Sequence, residues 1–172
     1  RGLVCVTIDS DKAQQLSLTS MSPNNTSLHE TNFTVSVDAT KGTTTGISAK
    51  DRWQTIQVIL ENNSKPSDLV QPGHMFPIVA KDGGVLQRAG HTEASVDLSK
   101  LANLKPVSVI VEIIDDDGEM ARMKSLKKIS KKFNLPILSI AELIEYRRIK
   151  EKLIVELTNV SLPNKFGKFR LK

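Results

Sequence analysis

The N-terminal part of the chain alternates between strand-like and helix-like hydrophobic patterns. Residues 3–8 form a continuous apolar, β-branched run, and residues 32–38 alternate between apolar and polar side chains with a period of two. The first pattern predicts a buried strand and the second a half-buried strand. Ser48 is followed three residues later by Asp51, which is a helix-capping pattern. We therefore expect a helix that runs from there through Leu60.

The middle of the chain is rich in Gly and Pro and shows little helical periodicity. Residues 76–80 and 84–87 are apolar enough to form short strands, and residues 81–84 have the composition of a hairpin-type turn. The segment 72–77 is predicted to be a Gly/Pro turn that carries His74.

The second half of the chain returns to clear periodicities. The predicted elements are a helix at 93–101, a strand at 107–113, a turn at 115–118, an amphipathic helix at 120–133, a short strand at 137–139 and a helix opened by the capping box Ser139–Glu142. Strands that alternate with helices predict an α/β or α+β domain in which helices pack against a sheet.

Composition narrows the class of protein. With 172 residues, 39% of them hydrophobic and 25% charged, the chain has the size and composition of a soluble globular domain. No apolar run reaches the roughly 18 residues of a membrane helix. The single cysteine, Cys5, excludes an internal disulfide framework and a zinc site built from several cysteines. We therefore expect a protein of the reducing cytoplasm.

The positive charge is concentrated at one end. Residues 1–120 hold 10 Lys and Arg against 15 Asp and Glu, whereas residues 121–172 hold 14 against 4. Five of the ten lysines in residues 121–172 fall on the polar face of the predicted helix 120–133. Aromatic residues are only 4% of the chain, so base-stacking platforms are scarce. We expect a solvated helix face, with neither nucleic acid nor membrane as a partner.

Two histidine-containing clusters are candidates for chemistry. His74 lies between Gly and Pro residues whose rigid backbone would hold an imidazole toward a cleft, although a surface histidine in a turn is the alternative. Arg88, His91, Thr92 and Glu93 crowd around one glycine. Arginine binds phosphate bidentately and histidine ligates metals, but a helix N-cap at Thr92 with incidental neighbours explains the same spacing.

Three further features carry weaker signals. Glu112 lies in an otherwise apolar predicted strand, so it either faces solvent at a sheet edge or is desolvated for acid–base work. Residues 43–48 precede a helix N-terminus, which is a natural anion site. Cys5 is either a reactive thiol or, as is commoner in a strand, a small buried side chain. The acidic run 115–117 lacks the spacing of a calcium loop.

Taken in order, many of these stretches resemble the 3,4-dihydroxy-2-butanone 4-phosphate synthase family. The matching segments are residues 2–6, 24–27, 33–38, 44–52, 65–68, 72–77, 83–86, 88–94, 116–122 and 146–147. The resemblance implies an α+β fold, a three-layer α/β/α sandwich with a mixed sheet, and a homodimer with active sites at the subunit interface. It also implies a lyase that converts ribulose 5-phosphate into 3,4-dihydroxy-2-butanone 4-phosphate and formate with Mg²⁺ or Mn²⁺.

The resemblance also assigns roles to individual residues. His74 and Glu112 match the residues of the proton transfers, and His91 matches a metal-ligand histidine. The substrate contacts it implies are Arg88, Ala89, Gly90, His91, Thr92, Glu112 and Thr45. Asp51 and Cys5 match stretches that line the same cleft.

Departures from the family pattern qualify this assignment. The family's acidic segment with the carboxylate metal ligands is expected before Arg1, and the chain begins within an apolar run without Met, as if inside a domain. Gln71 stands where Arg is usual, and Asp115 where Asn is usual. Both changes make the cleft more negative.

The sequence predicts two regions. Residues 1–147 form the synthase domain, truncated in front, and residues 148–172 form a linker and the start of a fused domain similar to GTP cyclohydrolase II. The expectation is a fragment of a bifunctional riboflavin enzyme with impaired lyase activity, in the cytoplasm or, for a plant-type protein, the plastid. The alternatives are an inactive protein that only binds the sugar phosphate and a purely structural half of such an enzyme.

Overall fold

A central sheet of four strands organises the molecule. The computed structural model describes residues 2–171. The strands are β1 (Cys5–Ile8), β2 (Val37–Ala39), β3 (Leu69–Val79) and β4 (Val107–Ile110), in the spatial order β2-β3-β1-β4. Strand β1 is parallel to β3 and antiparallel to β4, and β2 is antiparallel to β3. The predicted mixed sheet is therefore confirmed.

Helices cover both faces of this sheet. The helices are α1 (Ser10–Gln15), α2 (Ala49–Leu60), α3 (His91–Leu101), α4 (Met123–Phe133) and α5 (Ile140–Lys150). On one face, Val6 and Ile8 of β1 pack in a buried apolar cluster with Leu16, next to α1, and Ile59 of α2. Thr7 points to the other face, because successive strand residues alternate, and its hydroxyl lies 2.7 Å from Ser95 Oγ of α3. The arrangement is the α/β/α sandwich predicted for the family.

Helix caps account for several element boundaries. Ser48 accepts a hydrogen bond from the backbone N–H of Asp51 at the start of α2, and Ser139 and Glu142 form a complete capping box at the start of α5. Both caps were predicted from the sequence and are confirmed. Helix α3 begins at His91 with Gly90 as its N-cap, so the alternative that Thr92 caps this helix is wrong.

The Gly- and Pro-rich middle of the chain differs from its prediction. Residues 72–77 are not a turn but part of the eleven-residue strand β3. Gly73 permits this, because a Cβ there would lie 2.0 Å from the carbonyl carbon of Val37 on the adjacent strand. Gly84–Leu86 is a 3₁₀ turn rather than a strand, since Gly83 and Gly84 have φ values of +88° and +62°, outside the strand region.

Two other elements differ from the expectation. The short helix α1 was not predicted, because a six-residue helix capped by Asp9 is too short to show periodicity. Residues 137–139 are not a strand. Leu138 instead lines an apolar cavity between α3, β4, α4 and α5.

The C-terminal elements are the most exposed. No residue of the described helix α4 is buried, and its lysines are solvated as predicted. Strands β5 (Val160–Asn164) and β6 (Gly167–Leu171) pair with each other in a hairpin whose residues are all exposed. Within residues 2–171, no helix is long and apolar enough to cross a membrane.

Candidate active site

His74 is held by a buried carboxylate on the neighbouring strand. Its ring Nδ1 lies 2.7 Å from Asp38 Oδ2, and its backbone N–H donates to Asp38 Oδ1 at 2.9 Å. The side chain of Asp38 is 10% exposed and that of His74 is 45% exposed. A carboxylate only accepts hydrogen bonds, so Nδ1 carries a proton, and in the neutral ring the free lone pair is on Nε2, which faces away from Asp38. This geometry suits a general base.

The loop before α2 packs directly on this pair. Gly46 has φ +82°, and a Cβ at that position would lie 2.0 Å from Asp38 Oδ2 and 2.6 Å from His74 Nδ1. The loop is fixed by the buried carboxylate of Asp51, which accepts the Thr44 hydroxyl at 2.8 Å and the Gly46 N–H at 3.0 Å. The Thr44 hydroxyl is the main cause that lowers the pKa of Asp51. Thr45, between these two donors, is exposed.

A separate cleft of about 640 Å³ collects the second cluster. It is lined by Arg88, Ala89, Gly90, His91 and Thr92, together with Cys5, His29, Thr31, Phe33, Ile78, Ile110 and Glu112. The lining residues at 90–92 include the N-cap and first turn of α3, where backbone N–H groups lack helical acceptors and attract anions. The cleft therefore combines anion-binding donors with a histidine and a carboxylate.

Arg88 and the buried Glu93 form a partly buried ion pair beside this cleft. Arg88 Nη1 donates to Glu93 Oε2 at 2.5 Å, and the Glu93 side chain is 1% exposed. The other carboxylate oxygen of Glu93 accepts the backbone N–H of Lys81 at 3.0 Å. Glu93 therefore orients the guanidinium rather than facing the cleft.

Glu112 lies two residues beyond the end of β4 and is exposed, as expected for a carboxylate at a sheet edge. Its Oε2 accepts the backbone N–H of Leu3 at 3.0 Å. Cys5, on the floor of the same cleft, is buried. Burial, and secondarily the negative charge of Glu112, raises the pKa of this thiol to about 11. Cys5 is therefore a protonated lining group, not a ready nucleophile.

The predicted site residues thus fall into two groups. Arg88–Thr92 and Glu112 share the cleft, whereas His74 and Thr45 are not among the described residues that line it. No local pattern indicated that Asp38 would pair with His74, because an aspartate at the end of a predicted strand has many uses. Nor did any pattern indicate that His29 and Thr31 reach the cleft, since only the fold brings the polar loop there.

The same cleft offers only part of a metal site among the described residues. His91 and Glu112 line one cleft, but the described part of the chain contains no group of three or more His, Cys, Asp or Glu side chains arranged to hold a metal ion. Divalent magnesium needs a fuller set of oxygen ligands than this pair offers. The described residues alone therefore do not complete a metal site.

A family model and several known proteins match the sequence of this chain. The model of the family 3,4-dihydroxy-2-butanone 4-phosphate synthase matches residues 1–146. Riboflavin biosynthesis protein RibBA of Cytophaga hutchinsonii is 51% identical over 172 residues, which cover 99% of this chain and 42% of that relative. The chain thus spans less than half the length of this relative.

Solved structures share the fold. RibBX, a two-domain 3,4-dihydroxy-2-butanone 4-phosphate synthase from A. baumannii, superposes with a TM-score of 0.90 at 45% identity, covering 99% of this chain and 50% of that one. A 3,4-dihydroxy-2-butanone 4-phosphate synthase in complex with two magnesium ions gives a TM-score of 0.84 at 36% identity, covering 89% of this chain and 76% of that one. The chain belongs to the 3,4-dihydroxy-2-butanone 4-phosphate synthase family of riboflavin biosynthesis.

Proposed function

We propose that this chain carries the substrate cleft and the proton-transfer histidine of a lyase that converts ribulose 5-phosphate into 3,4-dihydroxy-2-butanone 4-phosphate and formate. The observation that carries the proposal is the cleft in which Arg88–Thr92 and Glu112 meet. Its donors suit a phosphate, and its carboxylate and histidine suit the hydroxyl and carbonyl groups of a sugar.

Phosphate binding is assigned to the start of α3. The N–H groups of its first turn, the Thr92 hydroxyl and Arg88 are donors that match phosphate oxygens. Contacts with Ala89 and Gly90 are backbone contacts, because neither side chain offers a polar group. Binding energy from this nonreacting end of the substrate would orient the reacting carbons.

Proton transfer is assigned to His74 and Glu112. Enediol formation removes a proton from the carbon next to the ketose carbonyl, and Nε2 of His74 is the free lone pair for that step. Asp38 then stabilises the imidazolium that forms, as a buried carboxylate does for a catalytic histidine. Glu112, which lines the cleft together with Arg88–Thr92, serves as the second acid–base group and as a substrate contact. Thr45 stands beside the His74 group.

The separation of His74 from the cleft supports a homodimer. His74 is 45% exposed, so its ring is available to a group outside its own subunit. We assign the complete site to the subunit interface, where the cleft of one subunit would meet the partner's His74. A shared site at the interface would explain why the cleft residues and His74 form two separate groups within one chain.

The cofactor we propose is Mg²⁺ or Mn²⁺, with His91 as one ligand. A related synthase was solved in complex with two magnesium ions. The remaining ligands do not come from a cluster within residues 2–171.

The C-terminal region is proposed to be a linker and the start of a second domain. We assign residues 1–147 to the synthase domain and 148–172 to the entry into a domain similar to GTP cyclohydrolase II. The family match ends at residue 146, and the exposed hairpin β5–β6 pairs only with itself among the named strands. The location we propose is the cytoplasm.

The incomplete metal ligand set favours one alternative, a chain that binds the sugar phosphate without turnover. Formate release from ribulose 5-phosphate with added Mg²⁺ separates the two. Formate release by the wild type that is lost in His74→Asn supports the lyase. A rise in melting temperature with ribulose 5-phosphate but no formate supports the binding alternative. If neither formate nor a rise in melting temperature is observed, both functions are refuted and a structural role remains.

A further inference from the structure

Arg88 does more in this structure than face a cleft. We propose that Arg88 is a positioning residue that fixes the polar loop, residues 20–31, as one wall of the substrate cleft, and that a phosphate bound at the start of α3 tightens this attachment. The identity of the anion rests on the proposed function, whereas the attachment of the loop does not.

The guanidinium is nearly saturated by intramolecular acceptors. Nε and Nη2 both donate to the backbone carbonyl of His29, at 3.2 and 2.9 Å, and Nη2 also donates to Thr31 Oγ1 at 3.2 Å. Nη1 donates to Glu93 at 2.5 Å. A guanidinium has five N–H groups. These bonds use four of them.

The contacts reach across 57 to 59 residues of sequence and hold only the end of the loop. His29 and Thr31 line the cleft together with Arg88 and His91. The rest of the loop is exposed and is tied down by local bonds, such as Asn25 Nδ2 to the Thr31 carbonyl at 3.0 Å. Loss of the Arg88 bonds would therefore release this wall of the cleft.

Glu93 sets the direction of the guanidinium. Its carboxylate is 1% exposed and bonded to Arg88 and to the Lys81 N–H. Arg88 also lies directly over Gly90, because a Cβ on Gly90 would be 2.2 Å from Arg88 Nη1. The one N–H that remains on Nη1 is thus next to the N-cap of α3, where an anion is expected to bind.

A phosphate at that position would take the remaining N–H without displacing the loop. A ligand that binds the attached arrangement better than the detached one shifts the population toward it. By linkage, the loop contacts and the phosphate then strengthen each other. A bidentate grip would instead need two N–H groups on one edge of the guanidinium and would displace His29 or Thr31.

Hydrogen exchange of the 172-residue chain tests this directly. The reporters are the backbone amides of Glu30 and Phe33, which donate to the carbonyls of Ser27 and Thr31. Arg88→Lys keeps the charge beside Glu93 but cannot make the paired contact with the His29 carbonyl. We expect exchange at both amides to be about tenfold faster in this variant, as loss of about 1.4 kcal/mol of local stability would give.

The matched control is Lys81→Ala. It removes the exposed ion pair with Glu30, at 3.0 Å, which attaches the same loop from the other side. Surface ion pairs contribute little, so exchange at these amides is expected to stay within a few-fold of the wild type. Thr31→Val, which removes one acceptor and no charge, is the second test variant should Arg88→Lys not fold.

Inorganic phosphate is the probe for the coupling. In the wild type, we expect phosphate to slow exchange at Glu30 and Phe33, and in Thr31→Val we expect phosphate to bind several-fold more weakly. Unchanged exchange in both Arg88→Lys and Thr31→Val would overturn the positioning role. Faster exchange on addition of phosphate would overturn the coupling, since it shows that Arg88 leaves the loop for the anion. Both readouts are independent of lyase activity, so they stand if formate release fails.

Discussion

Asp38 holds His74 through two hydrogen bonds, one to the ring Nδ1 at 2.7 Å and one to the backbone N–H at 2.9 Å. The two bonds occupy both carboxylate oxygens, so ring position and tautomer are fixed together. The contact lies at an irregularity in strand pairing, because Val37 pairs with Met75 whereas Asp38 pairs with Val70. In the proposed mechanism, the basicity of Nε2 therefore depends on a residue that touches no substrate.

Asp38→Asn is expected to lower formate release by about a hundredfold or more while leaving the fold intact. The amide keeps the shape of the side chain, but its NH₂ faces Nδ1 and moves the ring proton to Nε2. The ¹⁵N chemical shifts of the His74 ring report this change of tautomer without requiring activity. Asp11→Asn, at an exposed position of α1, is the control and should alter neither readout. An unchanged tautomer in Asp38→Asn would contradict the role given to Asp38.

Gly46→Ala tests the packing of the loop on this pair. The added methyl group would collide with Asp38 Oδ2, 2.0 Å away. The alanine would also have to keep the φ of +82°, which is unfavourable for any residue with a side chain. Gly42→Ala carries a similar cost, with φ +80°, but its Cβ meets only the flexible side chain of Gln54. Each substitution should destabilise the fold by about 1 kcal/mol through its φ alone.

The two variants are expected to differ in activity. Gly46→Ala should release formate more slowly than its folded fraction alone would predict. Gly42→Ala should release formate in proportion to its folded fraction. Equal activities at equal fractions folded, measured by urea denaturation alongside the formate assay, would show that the contact with Asp38 and His74 is unimportant.

Arg147→Ala is expected to lower the free energy of unfolding by about 3 kcal/mol. The side chain of Arg147 bonds to the buried Asp97 at 2.7 Å and to the Gly83 carbonyl at 2.9 Å, so its removal leaves a buried carboxylate with a weaker partner set. Arg148→Ala makes the same charge change at an exposed neighbour and should cost less than about 0.5 kcal/mol. Urea denaturation of the two variants is the measurement, and similar midpoints would contradict the prediction.

The contribution of Arg147 also depends on pH. Its hydrogen bonds lower the pKa of Glu151, to which it donates at 2.6 and 2.7 Å. A lowered folded pKa means that the stabilisation is present above the ordinary pKa of 4.5 and is lost as pH falls through the folded value. The difference in stability between the wild type and Arg147→Ala should therefore shrink on acidification below about pH 4.

Cys5 is expected to react very slowly with iodoacetamide in the folded chain. Its pKa of about 11 against an ordinary 9.0 leaves roughly a hundredfold less thiolate at pH 8. Alkylation in urea should be faster by at least that factor, since unfolding also exposes the thiol. Because the folded pKa is raised, the chain should lose stability as pH rises from 9 toward 11, and Cys5→Ser should lose less over this range. Rapid alkylation of the native chain would contradict the buried, protonated thiol.

Much of the fold was predictable because local signals and tertiary packing agree. The caps at Ser48 and Ser139 fixed the starts of α2 and α5. The first part of strand β3 was not predictable, since Pro72 and Gly73 argue against a strand unless a neighbouring backbone approaches closely, whereas its last residues, 76–79, were predicted as a strand. That approach is set by β2, which lies far away in sequence.

The site divides in the same way. His74 and Arg88 were candidates from the sequence, because their side-chain types suit the proposed chemistry. Their supports were not. Asp38, Glu93 and the His29 carbonyl gain their roles from contacts across strands and loops. The partition of the motif residues into two groups also depends on strand order, which no local pattern encodes.

The most direct test of the central claim is formate release from ribulose 5-phosphate by this chain with Mg²⁺, measured beside His74→Asn and the two-domain synthase of A. baumannii as a reference. We predict formate release that is present in the wild type and disappears in His74→Asn. Formate release that persists in His74→Asn, or none above that background in the wild type, would contradict the assignment of this chain as a working part of the lyase.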